Sequence, residues 1–168
     1  MIRTTLLKAA TGLVAVSLAA CTQPAPTEPE VISRTASGLT LTERDAACLR
    51  EAIYHESAAN SLDGGRAVAH VILNRTVDPR FPNSVCGVIA EGQDRGRCQF
   101  SYRCDGRPEN FADLKKLAGA NKATEVVLAN PEDDPTSGAL FFHAQFMAPG
   151  WFATLKRTIV AGGNIFYR

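Results

Sequence analysis

From about Leu41 to Ala129 the apolar positions of this chain mostly recur at three- and four-residue intervals, the spacing of helices that bury one face. Thr42 with Asp45 three residues on has the form of a helix N-cap with a weak capping box, opening a helix to about Ser57. After a turn over residues 60–65, Ala67, Val68, Val71 and Ile72 mark a second helix that Asn74-Arg75 closes. The prolines at 79 and 82 make residues 78–83 a loop, and a short helix is expected at about 84–91. A polar turn at 92–97 leads into Cys98-Gln99-Phe100-Ser101-Tyr102-Arg103, which alternates like a strand, and Asp105 to Pro108 ends it with turn chemistry. Helical character returns over 111–129, with an interruption expected near Gly119 to Asn121. Beyond the acidic, proline-bounded loop at 131–135, residues 139–143 read as a buried strand. Residues 158–161 and 165–167 read as a small sheet closed by the Gly162-Gly163 turn. The pattern predicts one α+β domain, mainly helical, with a small antiparallel β element.

The first 38 residues follow a different pattern. Arg3 and Lys8 precede an apolar run from Ala9 to Ala20, shorter than the roughly 20 residues a spanning helix needs, so residues 1–20 read as an export signal. Leu18-Ala19-Ala20-Cys21 resembles a bacterial lipobox, which implies acylation of Cys21 and a lipid-anchored mature protein; cleavage nearby and release is the competing reading. Residues 21–38, rich in Pro, Thr, Glu and Ser, read as a flexible tether reaching up to about 50 to 60 Å from the lipid. The folded domain is then 39–168. Thr22 after the cysteine hints at an outer membrane facing the periplasm.

Charge and cysteines narrow the function. The formal charge is +1, and without Arg3 and Lys8 it becomes −1, so nothing here supplies the basic footprint that nucleic acid demands. The five cysteines are an odd number; assigning Cys21 to lipid leaves Cys48, Cys86, Cys98 and Cys104 to pair, in one of three connectivities. In an exported chain they are expected oxidised. The pairing Cys86 to Cys98 and Cys48 to Cys104, which would staple the Gln99 strand to the first helix, is the one expected.

Glu56 is the candidate for the chemistry. Counting back through Ile53, Ala52 and Leu49 puts it on the stripe its helix buries, where acidic residues seldom sit. Burial disfavours the carboxylate and raises the pKa, as a general acid near neutral pH requires. Spacing alone leaves open that Glu56 lies just past the helix and points to water.

At this point several runs, in register over nearly all of residues 46–168, resemble the SleB/CwlJ family of bacterial cell wall hydrolases. They are Ala52-Ile53-Tyr54-His55-Glu56; the stretch from Gly64 to Leu73-Asn74-Arg75; Arg80-Phe81-Pro82-Asn83-Ser84-Val85-Cys86-Gly87; Cys98-Gln99-Phe100-Ser101 with Cys104-Asp105-Gly106; Gly138 to His143; Pro149-x-Trp151; and Phe166-Tyr167. The resemblance implies a lysozyme- or lytic-transglycosylase-like fold. It implies cleavage of peptidoglycan glycan strands between N-acetylmuramic acid and N-acetylglucosamine, with one essential glutamate, which maps onto Glu56. No cofactor is implied.

Hydrolytic glycosidases usually use a second carboxylate. Asp63, Glu91 and Asp105 are the nearest in sequence, none in a paired motif with Glu56 and each as readily a turn, cap or surface residue. A single acid suffices where the muramic C6 hydroxyl is the nucleophile, so a lytic transglycosylase is preferred to a muramidase. Gln99, Ser101 and Tyr102 are candidate sugar contacts, and Tyr54 and Trp151 candidate stacking groups; ordinary strand alternation and core packing explain the same residues. The chain departs from the family at Ser57-Ala58-Ala59-Asn60, where Ala-Arg-Gly-Glu is common, at Gly65 for a usual glutamine, and at Asn164 for a common histidine. Two other classes stay open. One is a zinc amidase on His55, His70 and His143, whose spacing offers no i, i+4 pair. The other is a lipid-anchored module that binds peptidoglycan without cutting it. Arg95, Arg97, Arg103 and Arg107 could meet stem-peptide carboxylates, or simply be solvated surface.

Overall fold

A computed structural model describes residues 28–57, 61–147 and 150–168, with the side chain of Trp151 left out. The export signal, Cys21 and Asn60 lie outside the described residues. Among the described residues no helix is long and apolar enough to cross a membrane.

The first ordered element corrects the tether. β1 (Val31–Arg34) pairs antiparallel with β2 (Thr40–Thr42), Val31 opposite Thr42 and Arg34 opposite Thr40. Val31 and Ile32, the only large apolar groups in that stretch, thus belong to a hairpin, whose turn bonds Gly38 N–H to the Thr35 carbonyl.

α1 (Glu43–Glu56) starts at the capping box read from sequence: Thr42 Oγ1 accepts from Asp45 N–H and the Asp45 carboxylate accepts from Thr42 N–H. Ala46, Leu49, Ala52 and Ile53 are buried along the predicted stripe. α2 (Leu62–Val77) starts earlier than expected, capped by Ser61 Oγ on Gly64 N–H. Its two glycines belong to the helix, and packing explains them. A Cβ on Gly64 would stand 2.6 Å from Gly162 Cα, and one on Gly65 would stand 2.7 Å from Ala123 Cβ. The departure at Gly65 is therefore a close helix contact with no room for glutamine. α2 is buried almost throughout, from Ala67 to Leu73, which makes it the central helix.

α3 (Val85–Ala90) is capped by Ser84 Oγ on Gly87 N–H. α4 (Leu114–Ala129) runs without the interruption expected near Gly119. Asp113 caps it by accepting from Lys115 and Lys116 N–H. Ala120, Ala123, Thr124 and Val127 keep helical phase through the glycine, and packing on α1 and α2 outweighs the roughly 1 kcal/mol a helical glycine costs.

Residues 98–103 are not a strand. Ser101–Cys104 forms a one-turn 3₁₀ helix. Burial does alternate, with Phe100 and Tyr102 inside and Gln99 and Ser101 outside, but the segment has no neighbouring strand among the described residues. The disulfides are corrected with it. Cys48 on α1 bonds Cys86 on α3, and Cys98 bonds Cys104 across the 3₁₀ turn. The expected pairing assumed an extended 98–103 segment; a compact turn brings its own two ends together instead.

β3 (Phe141–Ala144), β4 (Arg157–Ala161) and β5 (Asn164–Tyr167) form an antiparallel sheet in the order β3-β5-β4, with Ala144 opposite Asn164 and Phe141 opposite Tyr167. Gly162 and Gly163, both at positive φ, turn β4 into β5, and Gly162 packs on Gly64 at the start of α2. That contact seats the sheet on the helical core. The result is the mainly helical α+β fold that the sequence pattern predicts.

Candidate active site

Glu56 is the last residue of α1 and opens into a cleft of about 600 Å³ between the helical core and the sheet. Arg75 of α2, Gln99 and Ser101 of the 98–104 segment, Phe141 to Ala144 of β3, Met147, Phe152 and Asn164 of β5 line it with Glu56. The helix ends there because Ser57 turns extended, its N–H and its hydroxyl both donating to the Ile53 carbonyl. Asn164 Nδ2 donates to the Glu56 main-chain carbonyl at 3.2 Å, so the sheet holds the end of the helix. The departure at position 164 is thus a polar tie to the Glu56 backbone.

Burial raises the Glu56 pKa to about 7 against the opposing pull of Lys116 and Arg75. The carboxylate makes no hydrogen bond with the described residues, so desolvation is left largely uncompensated. Acid and carboxylate forms are therefore both available near neutral pH, which suits a proton donor that must also take a proton back.

Arg75 is 4% exposed. Its Nε donates to the Leu140 carbonyl at 2.8 Å, and its guanidinium lies 4.9 Å from the ring centre of Phe81, 5.7 Å from that of Phe100 and 5.9 Å from that of Phe141. The neighbouring Asn74 donates to Asp134 and to the Ala139 carbonyl, so Asn74 and Arg75 together hold the chain entering β3 against the cleft. Sequence reasoning passed over Arg75, though the signal was available. Val68, Val71 and Ile72 put it on a buried stripe by the same counting that selected Glu56. His143, also missed as a cleft residue, donates from Nδ1 to the Ala144 carbonyl at 2.8 Å and meets the Tyr167 hydroxyl with Nε2 at 2.9 Å.

The cleft gathers Glu56, Gln99 and Ser101 of the predicted site residues. Tyr54 and Tyr102 lie elsewhere, in a recess of about 220 Å³ lined also by His55, Asp105 and Arg107. Tyr102 stacks on His55 with ring centres 4.3 Å apart and donates to Glu51, while Tyr54 accepts from Asp113 N–H. Trp151 falls in a 3₁₀ turn (Gly150–Thr154) next to the cleft residue Phe152. Of the three candidate second carboxylates, Asp63 is in the first turn of α2, Glu91 ends α3 and Asp105 lines the smaller recess; none lines the Glu56 cleft. The histidines are dispersed over α1, α2 and β3. No group of three or more His, Cys, Asp or Glu side chains among the described residues is placed to hold a metal ion.

The family model described as Cell Wall Hydrolase matches residues 59–167, well over half of the chain and beginning just after Glu56. The spore cortex-lytic enzymes of Oceanobacillus iheyensis and Bacillus cereus are 32% and 34% identical over 126 and 125 residues, each match covering 74% of this chain. The matches cover 41% and 44% of those proteins, so the chain corresponds to less than half of their length. The solved catalytic domain of the germination-specific lytic transglycosylase SleB from Bacillus anthracis is 32% identical, with a TM-score of 0.60 over 76% of this chain and 97% of that one. The Bacillus cereus SleB catalytic domain gives a TM-score of 0.57 at 29% identity. With its family model, its relatives and its fold in agreement, this chain belongs to the SleB/CwlJ-type family of cell wall hydrolases.

Proposed function

We propose that the domain cleaves peptidoglycan glycan strands as a lytic transglycosylase, with Glu56 as both acid and base. One observation carries the choice of mechanism: Glu56 is the sole carboxylate among the described residues lining the cleft. In the proposed cycle the Glu56 carboxyl donates its proton to the glycosidic oxygen as the bond from muramic C1 breaks. The oxocarbenium-like centre is then attacked by the C6 hydroxyl of the same sugar, whose proton passes to the Glu56 carboxylate. The products are a strand with a 1,6-anhydro-muramic end and a strand with a free 4-hydroxyl on N-acetylglucosamine; no water is consumed and Glu56 ends protonated, as it began. A hydrolase would need a second carboxylate, either as nucleophile at about 5 to 5.5 Å from the first or as base for a water at about 6.5 to 9.5 Å from it. Gln99 and Ser101 are the polar groups on hand for the sugar, and the Phe142 and Phe152 side chains offer apolar faces.

The test is mass spectrometry of the products that the domain releases from purified sacculi, beside Glu56→Gln. Anhydromuropeptides from the native domain alone support the reading. Reducing-end muropeptides convert it to a muramidase, and binding without any product converts it to a peptidoglycan-binding module. The reading of residues 1–20 as a signal and of Cys21 as a lipidated N-terminus belongs to the same proposal, since a tethered enzyme on the envelope reaches its polymer. Incorporation of labelled fatty acid that Cys21→Ser abolishes is the expected result.

A further inference from the structure

Two charged residues, buried Arg75 and half-buried Glu91, have no part in the cycle proposed for Glu56. Arg75 lines the Glu56 cleft, and its guanidinium is immobilised by the Leu140 carbonyl and by three aromatic rings. Nη1 is buried and has no hydrogen-bond partner among the described residues. Glu91 does not line the cleft, and its Oε2 is likewise buried with no partner among the described residues. Its main-chain carbonyl accepts from Gln99 N–H at 3.1 Å, which fixes Gln99 at the cleft wall. Desolvation lowers the Arg75 pKa to about 10, and the charges of Glu91 and then Glu56 work against that fall. Arg75 is thus a cation with one carboxylate in its own cleft and another outside it.

We propose that Arg75 is a positioning residue for the acid–base cycle of Glu56, presenting a fixed cation to the carboxylate that proton donation leaves behind, with Glu91 as its counter-charge outside the cleft. The proposal rests on Glu56 being the proton donor. Burial alone would make Glu56 a weak acid, reluctant to protonate a leaving group. A nearby cation that needs no reorganisation lowers the energy of the ionised form as it appears. Other groups also face Glu56. Lys116 of α4 also pulls the Glu56 pKa down, yet it does not line the cleft; it is half-buried on a flexible stem, with Nζ 5.1 Å from the Tyr54 ring centre, so its charge is not fixed in place as that of Arg75 is. His143 of β3 is committed to Ala144 and Tyr167, and Tyr102 to Glu51. A guanidinium held on four sides keeps its place through the cycle.

The experiment follows Glu56 directly, by ¹³C NMR titration of the side-chain carboxyls in the full chain, the Glu56 signal being identified by its loss in Glu56→Gln. The alkaline limb of the kcat/KM profile on purified sacculi is recorded beside it. Arg75→Gln and Arg75→Met, the second keeping bulk among the rings, are expected to move the Glu56 midpoint and the limb upward together by about one pH unit. Arg75→Lys is expected to restore most of the native midpoint. A loss of rate with the midpoint unmoved overturns the proposal and leaves Arg75 a support for Leu140. Should neither neutral variant fold, Glu91→Gln decides, since it leaves the Leu140 anchor in place: a downward move of the midpoint supports the proposal, and no move or an upward one overturns it. If Glu56→Gln still cleaves sacculi, the glycosidase reading has failed, whereas the NMR midpoint continues to report on Arg75.

Discussion

Two recesses flank the C-terminal turn of α1, and the carboxylates beside them are treated in opposite ways. Beside the smaller one the Glu51 carboxylate is satisfied, since the Tyr102 hydroxyl and Arg103 both donate to it and Arg103 also lies 3.7 Å from Glu109, although His55 Nε2 and Arg103 Nε are buried without a partner among the described residues. In the larger one Glu56 is desolvated without a hydrogen-bond partner among the described residues, and its pKa rises to about 7. Tyr54, His55 and Glu56 are consecutive, yet a helix turns about 100° per residue, which sends the first two to one recess and the last to the other. Proximity in sequence to an acid is therefore a poor guide to a shared site.

The comparison breaks first on Glu56→Gln. Removing the acid is expected to lower sacculus cleavage by at least about 100-fold. An activity loss under tenfold would show that the chemistry lies elsewhere.

The second prediction concerns pH. Glu56 must start protonated, so kcat/KM is expected to fall as pH rises through about 7. Stability runs the same way. A carboxyl whose folded pKa is raised from 4.5 to about 7 contributes stability that is complete below about 4.5 and lost as pH rises through about 7. Glu56→Gln, which cannot ionise, is expected to be more stable than the native chain at pH 8 by about 3 kcal/mol, with the gap closing toward pH 4.5. Denaturant melts at the two pH values check it; equal gaps at both would mean that Glu56 is not desolvated.

A smaller effect is expected at the tie between sheet and helix. Asn164→Ala removes the bond to the Glu56 carbonyl, at about 1 kcal/mol of stability, and loosens the residue that carries the acid. The rate is expected to fall more than the melt does, and an unchanged rate would reduce Asn164 to a purely structural residue. Least of all, Tyr102→Phe breaks the bond to Glu51 in the other recess. It is expected to cost about 1 kcal/mol and to leave cleavage intact. A large loss of activity there would merge the two recesses into one site.

Much of this was legible in the chain because it depended on local pattern. The Thr42–Asp45 cap, the α1 stripe and the turn at Gly162-Gly163 each involve residues a few positions apart, whose preferences survive in the folded state. The errors have a common origin in contacts distant along the chain. Gly64 and Gly65 read as turn residues until Gly162 and Ala123 are known to press against them. The Cys98–Tyr102 alternation reads as a strand until it is found to have no partner, and the disulfide pairing inherited that mistake. Gly119 reads as a break until α1 and α2 are seen to hold α4 straight.

By itself, then, the sequence singled out Glu56 at the end of a helical stripe expected to be buried, because helical periodicity is a local property of the backbone, but it left open whether that residue lay past the helix and met water. It also determined the mainly helical class and the family runs that recur along the chain. Only the tertiary structure decided what the acid faces. Arg75 comes from α2, Asn164 from β5 and Gln99 from a turn stapled by Cys98–Cys104. The same packing excludes Asp63, Glu91 and Asp105 from the cleft wall. Desolvation and charge are sums over everything within a few ångströms, and which residues come that close is fixed by packing between elements rather than by order along the chain.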